Sequence, residues 1–341
     1  MQKSTQSKEG FDNVIVIGTS AGGLKALSQL VSQLPDNFPA PIFIVQHISP
    51  DATGDVLLDA LSANTKLKCV HAKPGMRPKQ GFIYVAPSDH HLLIDGGNKM
   101  LVSKGAHENR SRPAIDPLFR SAAVAFGNMV TGILLTGYLD DGTSGMKVIK
   151  RCGGKCIVQH PDDAEYPAMP ISAIKNVDVD YIVPISEMGG ILYQIMEQKK
   201  PRQVAVPKDI EIEAAIAERT LSDLPSVNAL GVQVPFNCPG CGGVLWEIKE
   251  DKSLRYRCHT GHAFTASTLL AEQTGKIEET MWTALRMFEE RKNLLSTMAE
   301  KYKGKTAEAL KERVAMSQIH IDRIRAVLMA DDKGTTSDIP V

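Results

Sequence analysis

The sequence lacks any long apolar run, since no stretch approaches the ~18 residues that a membrane-spanning helix needs. It also lacks net charge, because 39 Lys and Arg balance 39 Asp and Glu. That balance argues against binding of the whole chain to nucleic acid or to an acidic membrane surface. The first ten residues are polar and hold no apolar core, so they do not form a secretory signal. We therefore expect a cytoplasmic protein with no membrane insertion and no nucleic-acid partner.

Cysteine is scarce, with six residues in 341. Without an export signal, these cysteines are expected to be thiols or metal ligands rather than disulfides. The remaining composition is that of an ordinary globular protein, with 43% hydrophobic and 23% charged residues. Disordered, collagen-like and pure coiled-coil chains are thereby excluded, and the length allows two or three domains.

Short β-branched runs alternate with helical patterns from Asn13 to about Ile195. Because parallel strands need crossover connections, this alternation predicts an α/β fold with a doubly wound, mostly parallel sheet and helices on both faces. The stretch from His91 to Val102 contains Asp95-Gly96-Gly97 between two apolar runs. It predicts one antiparallel hairpin in this domain.

The composition changes after Lys199. Residues 200–235 hold four prolines and little periodicity, although residues 210–219 have the pattern of a short helix. Further on, apolar residues recur at helical spacing on both sides of Gly304, which predicts an antiparallel α-helical hairpin. The predicted organisation is an α/β domain over 12–196, a linker over 197–235, a small zinc-ribbon-like module over 236–265 and a helical hairpin over 273–330.

The first predicted strand ends in Gly18-Thr19-Ser20-Ala21-Gly22-Gly23 and leads directly into a helix. A dinucleotide-binding turn would show G-x-G-x-x-G and an acidic residue after the second strand, where this chain has Gln46-His47. A phosphate-binding loop would need Gly-Lys-Ser/Thr, which is absent. The third interpretation is a nucleophilic serine, Ser20, on a sharp turn. The amides of Ala21 and Gly22 would then face an oxyanion. The alternative is that Ser20 only caps the helix.

Two other candidate groups also follow predicted strands. His47 follows the second strand, and Asp140 and Asp141 follow the strand that ends at Leu135. The carboxyl ends of parallel strands meet at one edge of a sheet, where open α/β sheets place their sites. A serine, a histidine and an aspartate at that edge fit acyl transfer. Their chain order differs from the Ser…Asp…His order of the α/β-hydrolases.

Six segments in order make residues 12–196 resemble the catalytic domain of the chemotaxis protein-glutamate methylesterases. They are Val14–Gly23, Val45–His47, Tyr84–Leu93, Asn109–Asp116, Leu135–Gly142 and Met169–Ala173. The resemblance implies that Ser20 is the nucleophile, that His47 is the base and that Asp141 orients the base. It further implies hydrolysis of glutamate methyl esters on the cytoplasmic helices of chemoreceptors through an acyl-enzyme, giving glutamate and methanol. No cofactor is implied for catalysis, and glutamine deamidation is the expected side activity.

Three points depart from the family pattern or qualify it. The first strand begins at about residue 13, so we expect no N-terminal receiver domain and no control by its phosphorylation. Tyr138 stands where the family has methionine beside the site, and we expect it to shape the pocket. Arg112 either attracts an acidic receptor segment or forms a structural salt bridge. The alternative function is a non-catalytic signalling adaptor that keeps the methylesterase fold.

A metal site is predicted in the second half of the chain. Cys238-Pro-Gly-Cys241 and Cys258-His-Thr-Gly-His262 form two knuckles separated by β-type residues. Four such ligands suit tetrahedral zinc, with His259 as the alternative fourth ligand. A redox C-x-x-C would start a helix, which Pro239-Gly240 does not favour. A closed four-ligand site predicts structural zinc. Since no ligand comes from the first domain, we expect turnover on a small ester to survive removal of the metal.

The apolar stripes of the C-terminal helices are too long to face water. A two-helix hairpin buries little by itself, so a further partner is expected. The favoured partner is a second copy of the chain, with the first domain and the receptor array as alternatives.

Overall fold

The structure, a computed structural model, describes residues 12–198, 204–219, 223–248 and 254–330. The chain divides into two compact units, Met1–Ala266 and Ser267–Val341. No helix in the described part of the chain is both long enough and apolar enough to span a membrane.

The first unit begins with an α/β domain of nine strands. They are β1 (Val14–Thr19), β2 (Ile42–Gln46), β3 (Lys68–His71), β4 (Phe82–Val85), β5 (His91–Ile94), β6 (Met100–Ser103), β7 (Val130–Leu134), β8 (Lys155–Gln159) and β9 (Tyr181–Val183). Seven of them form one sheet in the order β3-β4-β2-β1-β7-β8-β9, and every neighbouring pair in it is parallel. The other two, β5 and β6, form the predicted antiparallel hairpin.

Six helices cover the sheet. They are α1 (Gly23–Val31), α2 (Asp55–Asn64), α3 (Ile115–Phe126), α4 (Thr143–Arg151), α5 (Ala168–Asn176) and α6 (Ile185–Glu197). Buried side chains of α1, α2 and α6 share one core cluster, and those of α3, α4 and α5 share another. The central strands are therefore buried on both faces, which explains why β1 is apolar along nearly its whole length. The predicted doubly wound fold is confirmed.

The segment predicted as a linker contains two helices, α7 (Lys208–Arg219) and α8 (Leu224–Leu230). A proline lies just before the first turn of α7 and another within the first turn of α8. A missing backbone N–H does no harm at these positions, so the prolines are compatible with helices and do not indicate an extended linker. Buried side chains of both helices share a core cluster with Trp246 and Ile248. Residues 199–203 and 220–222 of the predicted linker lie outside the described residues.

The predicted zinc-binding module is a four-stranded antiparallel sheet in the order β10-β11-β12-β13. Its strands are β10 (Gly231–Asn237), β11 (Val244–Ile248), β12 (Arg255–Cys258) and β13 (Ala263–Thr265). The sheet thus begins before residue 236. Residues 249–253, between β11 and β12, lie outside the described residues.

Two long helices extend through the C-terminal part of the chain, α9 (Ala266–Lys301) and α10 (Lys305–Met329). The turn between them contains Gly304 at a φ of 64°, a value that favours glycine. Leu295 of α9 packs against Leu310 of α10, and Glu289 forms a 2.9 Å ion pair with Arg325. The predicted helical hairpin is confirmed, although α9 begins at Ala266 rather than at residue 273.

Candidate active site

The strand order changes direction between β1 and β7. Strands β2, β4 and β3 lie on one side of β1, and β7, β8 and β9 lie on the other. Open α/β sheets bind ligands beyond the carboxyl ends of the strands at such a switch point. Ser20 follows β1, His47 follows β2, and Asp141 lies in the loop after β7. The structure therefore brings the three predicted residues to this edge of the sheet.

Ser20 lies on a tight turn between β1 and α1. The carbonyl oxygen of Ser20 accepts a 3.0 Å hydrogen bond from the Gly23 amide. Gly22 has a φ of 76°, in the left-handed region. Among the described residues, the amides of Ala21 and Gly22 donate no hydrogen bond to the protein. They are thus free to donate to an oxygen atom placed next to Ser20.

Ser20 and His47 directly follow the ends of two adjacent strands. The register pairs Thr19 with Gln46, the last pair of the ladder, and Ser20 and His47 are the next residue of each chain segment. The Gln46 side-chain amide donates to the carbonyl oxygen of Ser20 at 2.6 Å and to that of His47 at 3.0 Å. No hydrogen bond joins the Ser20 hydroxyl to His47 within the described residues, a gap that commonly closes when substrate binds.

His47 forms a close pair with Asp141. Its Nε2 lies 2.8 Å from Oδ2 of Asp141. The other ring nitrogen, Nδ1, lies 3.5 Å from the Ser111 hydroxyl. An ionised Asp141 fixes the proton of a neutral His47 on Nε2, because a carboxylate is only an acceptor. Nδ1 is then the nitrogen that can accept a proton.

Asp141 is almost fully buried, with 2% of its surface exposed. Besides His47, four groups donate to its oxygens: the amides of Ile115, Asp116 and Gly142, and the side chain of Asn109. Burial by itself would raise the pKa of this carboxyl. His47 and the surrounding donors outweigh burial and hold the pKa below its ordinary value. Asp141 is therefore ionised at neutral pH.

Asn109 is a part of the site that sequence reasoning missed. Its Nδ2 donates to Asp141 at 3.0 Å and to Asp116 at 2.9 Å. Burial, and then the charge of Asp141, raises the pKa of Asp116 above its ordinary value. The available signal was the segment Asn109–Asp116, which carried the family resemblance without indicating a role for Asn109.

Arg112 and Tyr138 have different surroundings. Arg112 donates to Asp89 at 2.6 Å and to the carbonyl oxygen of Gly105 at 2.9 Å. Of the two interpretations of Arg112, the structure thus shows a salt bridge within the protein. Tyr138 is 58% exposed, and its ring lies 4.6 Å from that of Tyr166. It follows β7 in the loop that leads to Asp141.

The predicted metal ligands lie together in the module. One candidate ligand atom from each of Cys238, Cys241, Cys258 and His262 lies within 4.8 Å of the other three. His259, the alternative ligand, is not in this group. Three cysteines and one histidine at such distances fit a tetrahedral metal, because Zn–S and Zn–N bonds are about 2.0–2.3 Å long.

The fold is a doubly wound α/β sheet, and its switch-point edge carries Ser20 and the His47–Asp141 pair. A sequence model of the CheB methylesterase family matches residues 15–192. The chain belongs to this family, whose relatives carry the names of hydrolases.

Two relatives and one solved structure show the extent of the similarity. A Leptospira interrogans protein, provisionally named protein-glutamate methylesterase/protein-glutamine glutaminase, is 39% identical over 183 residues, covering 53% of this chain and 93% of that protein. The Thermotoga maritima enzyme of that name is 34% identical over 186 residues, covering 54% of each chain. The crystal structure of the Thermotoga maritima CheB methylesterase catalytic domain has a TM-score of 0.52 and 33% identity. It covers 54% of this chain and 98% of that domain. The chain thus spans about half the length of the full Thermotoga relative.

Proposed function

We propose that the chain is a protein-glutamate methylesterase that hydrolyses glutamate methyl esters on the cytoplasmic helices of chemoreceptors. The names of its relatives support the reaction. The observation that carries the proposal is the 2.8 Å His47–Asp141 pair beside Ser20 at the switch point of the sheet. The related glutaminase activity would use the same groups on a glutamine side chain, with ammonia as the leaving group.

The geometry suggests a role for each residue. The Ser20 hydroxyl attacks the ester carbonyl and gives its proton to Nδ1 of His47. Asp141 stabilises the resulting imidazolium through Nε2. The amides of Ala21 and Gly22 donate to the oxyanion. The imidazolium of His47 then protonates the departing methoxide oxygen, which leaves as methanol. His47 next takes a proton from the water that hydrolyses the acyl-enzyme to release glutamate. No cofactor takes part in these steps.

Two further predicted residues, Tyr138 and Arg112, have different roles in the proposed site. Tyr138, exposed beside Tyr166, offers an apolar ring to the backbone or side chains of a receptor helix. Arg112 contributes to the local positive charge, but its bonds to Asp89 and Gly105 assign it mainly to holding its loop.

We also propose that Cys238, Cys241, Cys258 and His262 hold one structural zinc ion. Four protein ligands leave no open position for a substrate. For the second unit we propose self-association, because Ile277, Trp282, Met287 and Leu294 of α9 each remain more than half exposed.

The test is methanol release from a methylated chemoreceptor by the native chain and by Ser20→Ala. The matched control is Ser49→Ala, which changes another serine near His47. Native and control proteins should release methanol at the same rate, and Ser20→Ala should lose nearly all of it. A native chain that binds the receptor but releases no methanol would identify the signalling adaptor instead.

A further inference from the structure

The loop between β6 and α3 carries much of the support for His47 and Asp141. We refer to residues 107–111 as the support segment. Within it, Asn109 donates to Asp141 at 3.0 Å, and the Ser111 hydroxyl lies 3.5 Å from Nδ1 of His47. A shift of the support segment would therefore change the position of the carboxylate and the surroundings of the base.

The support segment is a tight turn, in which the Ser111 amide donates to the carbonyl oxygen of Glu108 at 3.0 Å. Asn109 has a φ of 49° and Arg110 a φ of 68°. Asparagine tolerates the left-handed region in such a turn, whereas the long side chain of Arg110 is less favourable there. Contacts from outside the turn add to the hydrogen bond that closes it.

The module supplies such contacts through the backbone. The Asn109 amide donates to the carbonyl oxygen of Ala263 at 2.9 Å, and the Ala263 amide donates to the carbonyl oxygen of His107 at 3.4 Å. Glu108 and Ala263 form an isolated parallel β-bridge. Ala263, the first residue of β13, thus pairs with the backbone of residues 107–109.

A buried charge cluster adds side-chain contacts at the same place. Glu108, from the support segment, accepts hydrogen bonds from Arg120 of α3 at 2.8 Å and from Arg257 of β12 at 2.8 Å. Arg120 and Arg257 have no exposed surface. A second carboxylate, Glu213 of α7, binds Arg120, Arg255 and Arg257. Because these charged groups have little access to water, removal of one would leave its partners as uncompensated buried charges, which is strongly destabilising.

The contacts to the support segment come from residues adjacent to two of the proposed metal ligands. Arg257 precedes Cys258, and Ala263 follows His262. The Cys258 amide donates to the carbonyl oxygen of His262 at 3.0 Å, so the two ligands close one turn. A metal bound by Cys258 and His262 would fix that turn, and with it the positions of Arg257 and Ala263.

We infer that the Cys3His module positions the active site, and that Glu108 and Arg257 are positioning residues for Asp141. In this arrangement a filled metal site holds β12 and β13 against the support segment, which holds Asn109 on Asp141. The role in turnover rests on the proposed esterase function. The inference reverses the expectation that turnover is independent of the metal. No ligand comes from the first domain, but β12, which ends at Cys258, and β13, which follows His262, contact that domain directly.

The first experiment compares the full chain as zinc-loaded protein, after removal of the metal by a chelator, and after reloading with zinc. Hydrogen exchange of the backbone over residues 107–116 should speed up at least tenfold without metal and return to its original rate with zinc. The amides of β1 and β7 serve as internal controls and should stay protected. Unchanged exchange over 107–116 would overturn the inference, whatever the enzymatic activity.

The second experiment measures kcat and KM on a small methyl ester. Metal removal should lower kcat about 10- to 100-fold, the size expected for a misplaced catalytic group. KM should change little, because the support segment holds the base rather than the ester. If native protein shows no Ser20-dependent turnover, the esterase proposal fails, while the exchange measurement still decides whether the module holds the segment.

Two matched variants separate positioning from general stability. Glu108→Gln and Glu213→Gln each remove one of the two carboxylates that face the same buried arginines. Only Glu108 belongs to the support segment. Glu108→Gln should lower kcat at least tenfold and make it insensitive to the metal. Glu213→Gln should lower the melting temperature by about as much as Glu108→Gln does. Its kcat should nevertheless stay within about threefold of the native value. Equal losses of kcat in the two variants would overturn the inference.

Discussion

At the scale of single residues, Asp140 and Asp141 are neighbours with different surroundings. Asp141 is buried and accepts hydrogen bonds from His47 and four other donors. Asp140 is half-buried, and among the described residues it forms no hydrogen bond with His47. Only Asp141 therefore has the contacts expected of the residue that orients His47.

Asp141→Asn should lower kcat about 10³- to 10⁴-fold, because an amide in place of the carboxylate favours the wrong tautomer of His47. The matched Asp140→Asn variant should keep most activity. Steady-state kinetics on a small methyl ester measure both effects. A silent Asp141→Asn together with an inactive Asp140→Asn would show that the aspartate is wrongly assigned.

The common location of Ser20, His47 and Asp141 was predictable because each residue follows a strand, and the carboxyl ends of parallel strands lie at one edge of the sheet. The contacts of Asn109 and Arg112 were not predictable in the same way. Both lie in an irregular loop, where the direction of a side chain depends on backbone angles and on partners distant in the sequence. The pairing of Arg112 with Asp89 is therefore visible only in the structure.

At the scale of elements, the sheet was predictable from a regular sequence pattern, whereas the structure of the segment that follows it was not. The alternation of strands and helices predicted the α/β domain. The four prolines in residues 200–235 suggested a linker, but two of them lie beside the starts of α7 and α8. Arg255 and Arg257 alternate on β12, so both point to one side of the strand. Both arginines can be buried because Glu108 and Glu213 form ion pairs with them. Nothing in the sequence indicates these pairs, since the partners are far apart along the chain.

The buried charge cluster predicts how the stability of the first unit depends on pH. Burial opposes ionisation of Glu108, but Arg120 and Arg257 outweigh it and lower its pKa from 4.5 to about 2. A carboxyl group whose pKa is lower in the folded than in the unfolded protein stabilises the fold at pH values above its unfolded-state pKa. This stabilisation is lost as the pH falls through the folded-state pKa. Unfolding free energy should therefore drop by about 3 kcal/mol between pH 4.5 and pH 2 through this group.

Denaturant unfolding at a series of pH values tests this prediction. Glu108→Gln should flatten the acid part of the curve. A control at Glu211, an exposed carboxylate of α7 that pairs with Lys208, should leave the curve unchanged as Glu211→Gln. An acid limb of the same slope in Glu108→Gln and native protein would contradict the assigned role of the cluster.

At the scale of the whole molecule, the metal content is the first quantity to measure. Native mass spectrometry of protein prepared without chelator should find one zinc per chain. Cys258→Ser should lose the metal, because it removes one of the four candidate ligands. Cys69→Ser, which changes a cysteine outside that group, should keep it. Metal-free native protein would contradict the site.

Self-association through the second unit is the other whole-molecule prediction. The full chain should have the mass of an oligomer in solution. Leu294→Glu places a charge on an exposed apolar position of α9 and should yield monomers. Asn293→Glu, at the neighbouring exposed polar position, should leave the mass unchanged. Sedimentation at several concentrations measures the mass, and a monomeric native chain would refute the prediction.

The central claim is that Ser20, His47 and Asp141 act as one catalytic unit. The direct test is kcat/KM for methanol release by Ser20→Ala, by His47→Ala and by the triple variant that adds Asp141→Asn. Groups that act together lose their effect together, so the triple variant should retain about the same residual activity as Ser20→Ala alone. Losses that multiply from one substitution to the next, or a Ser20→Ala variant with native activity, would contradict the account.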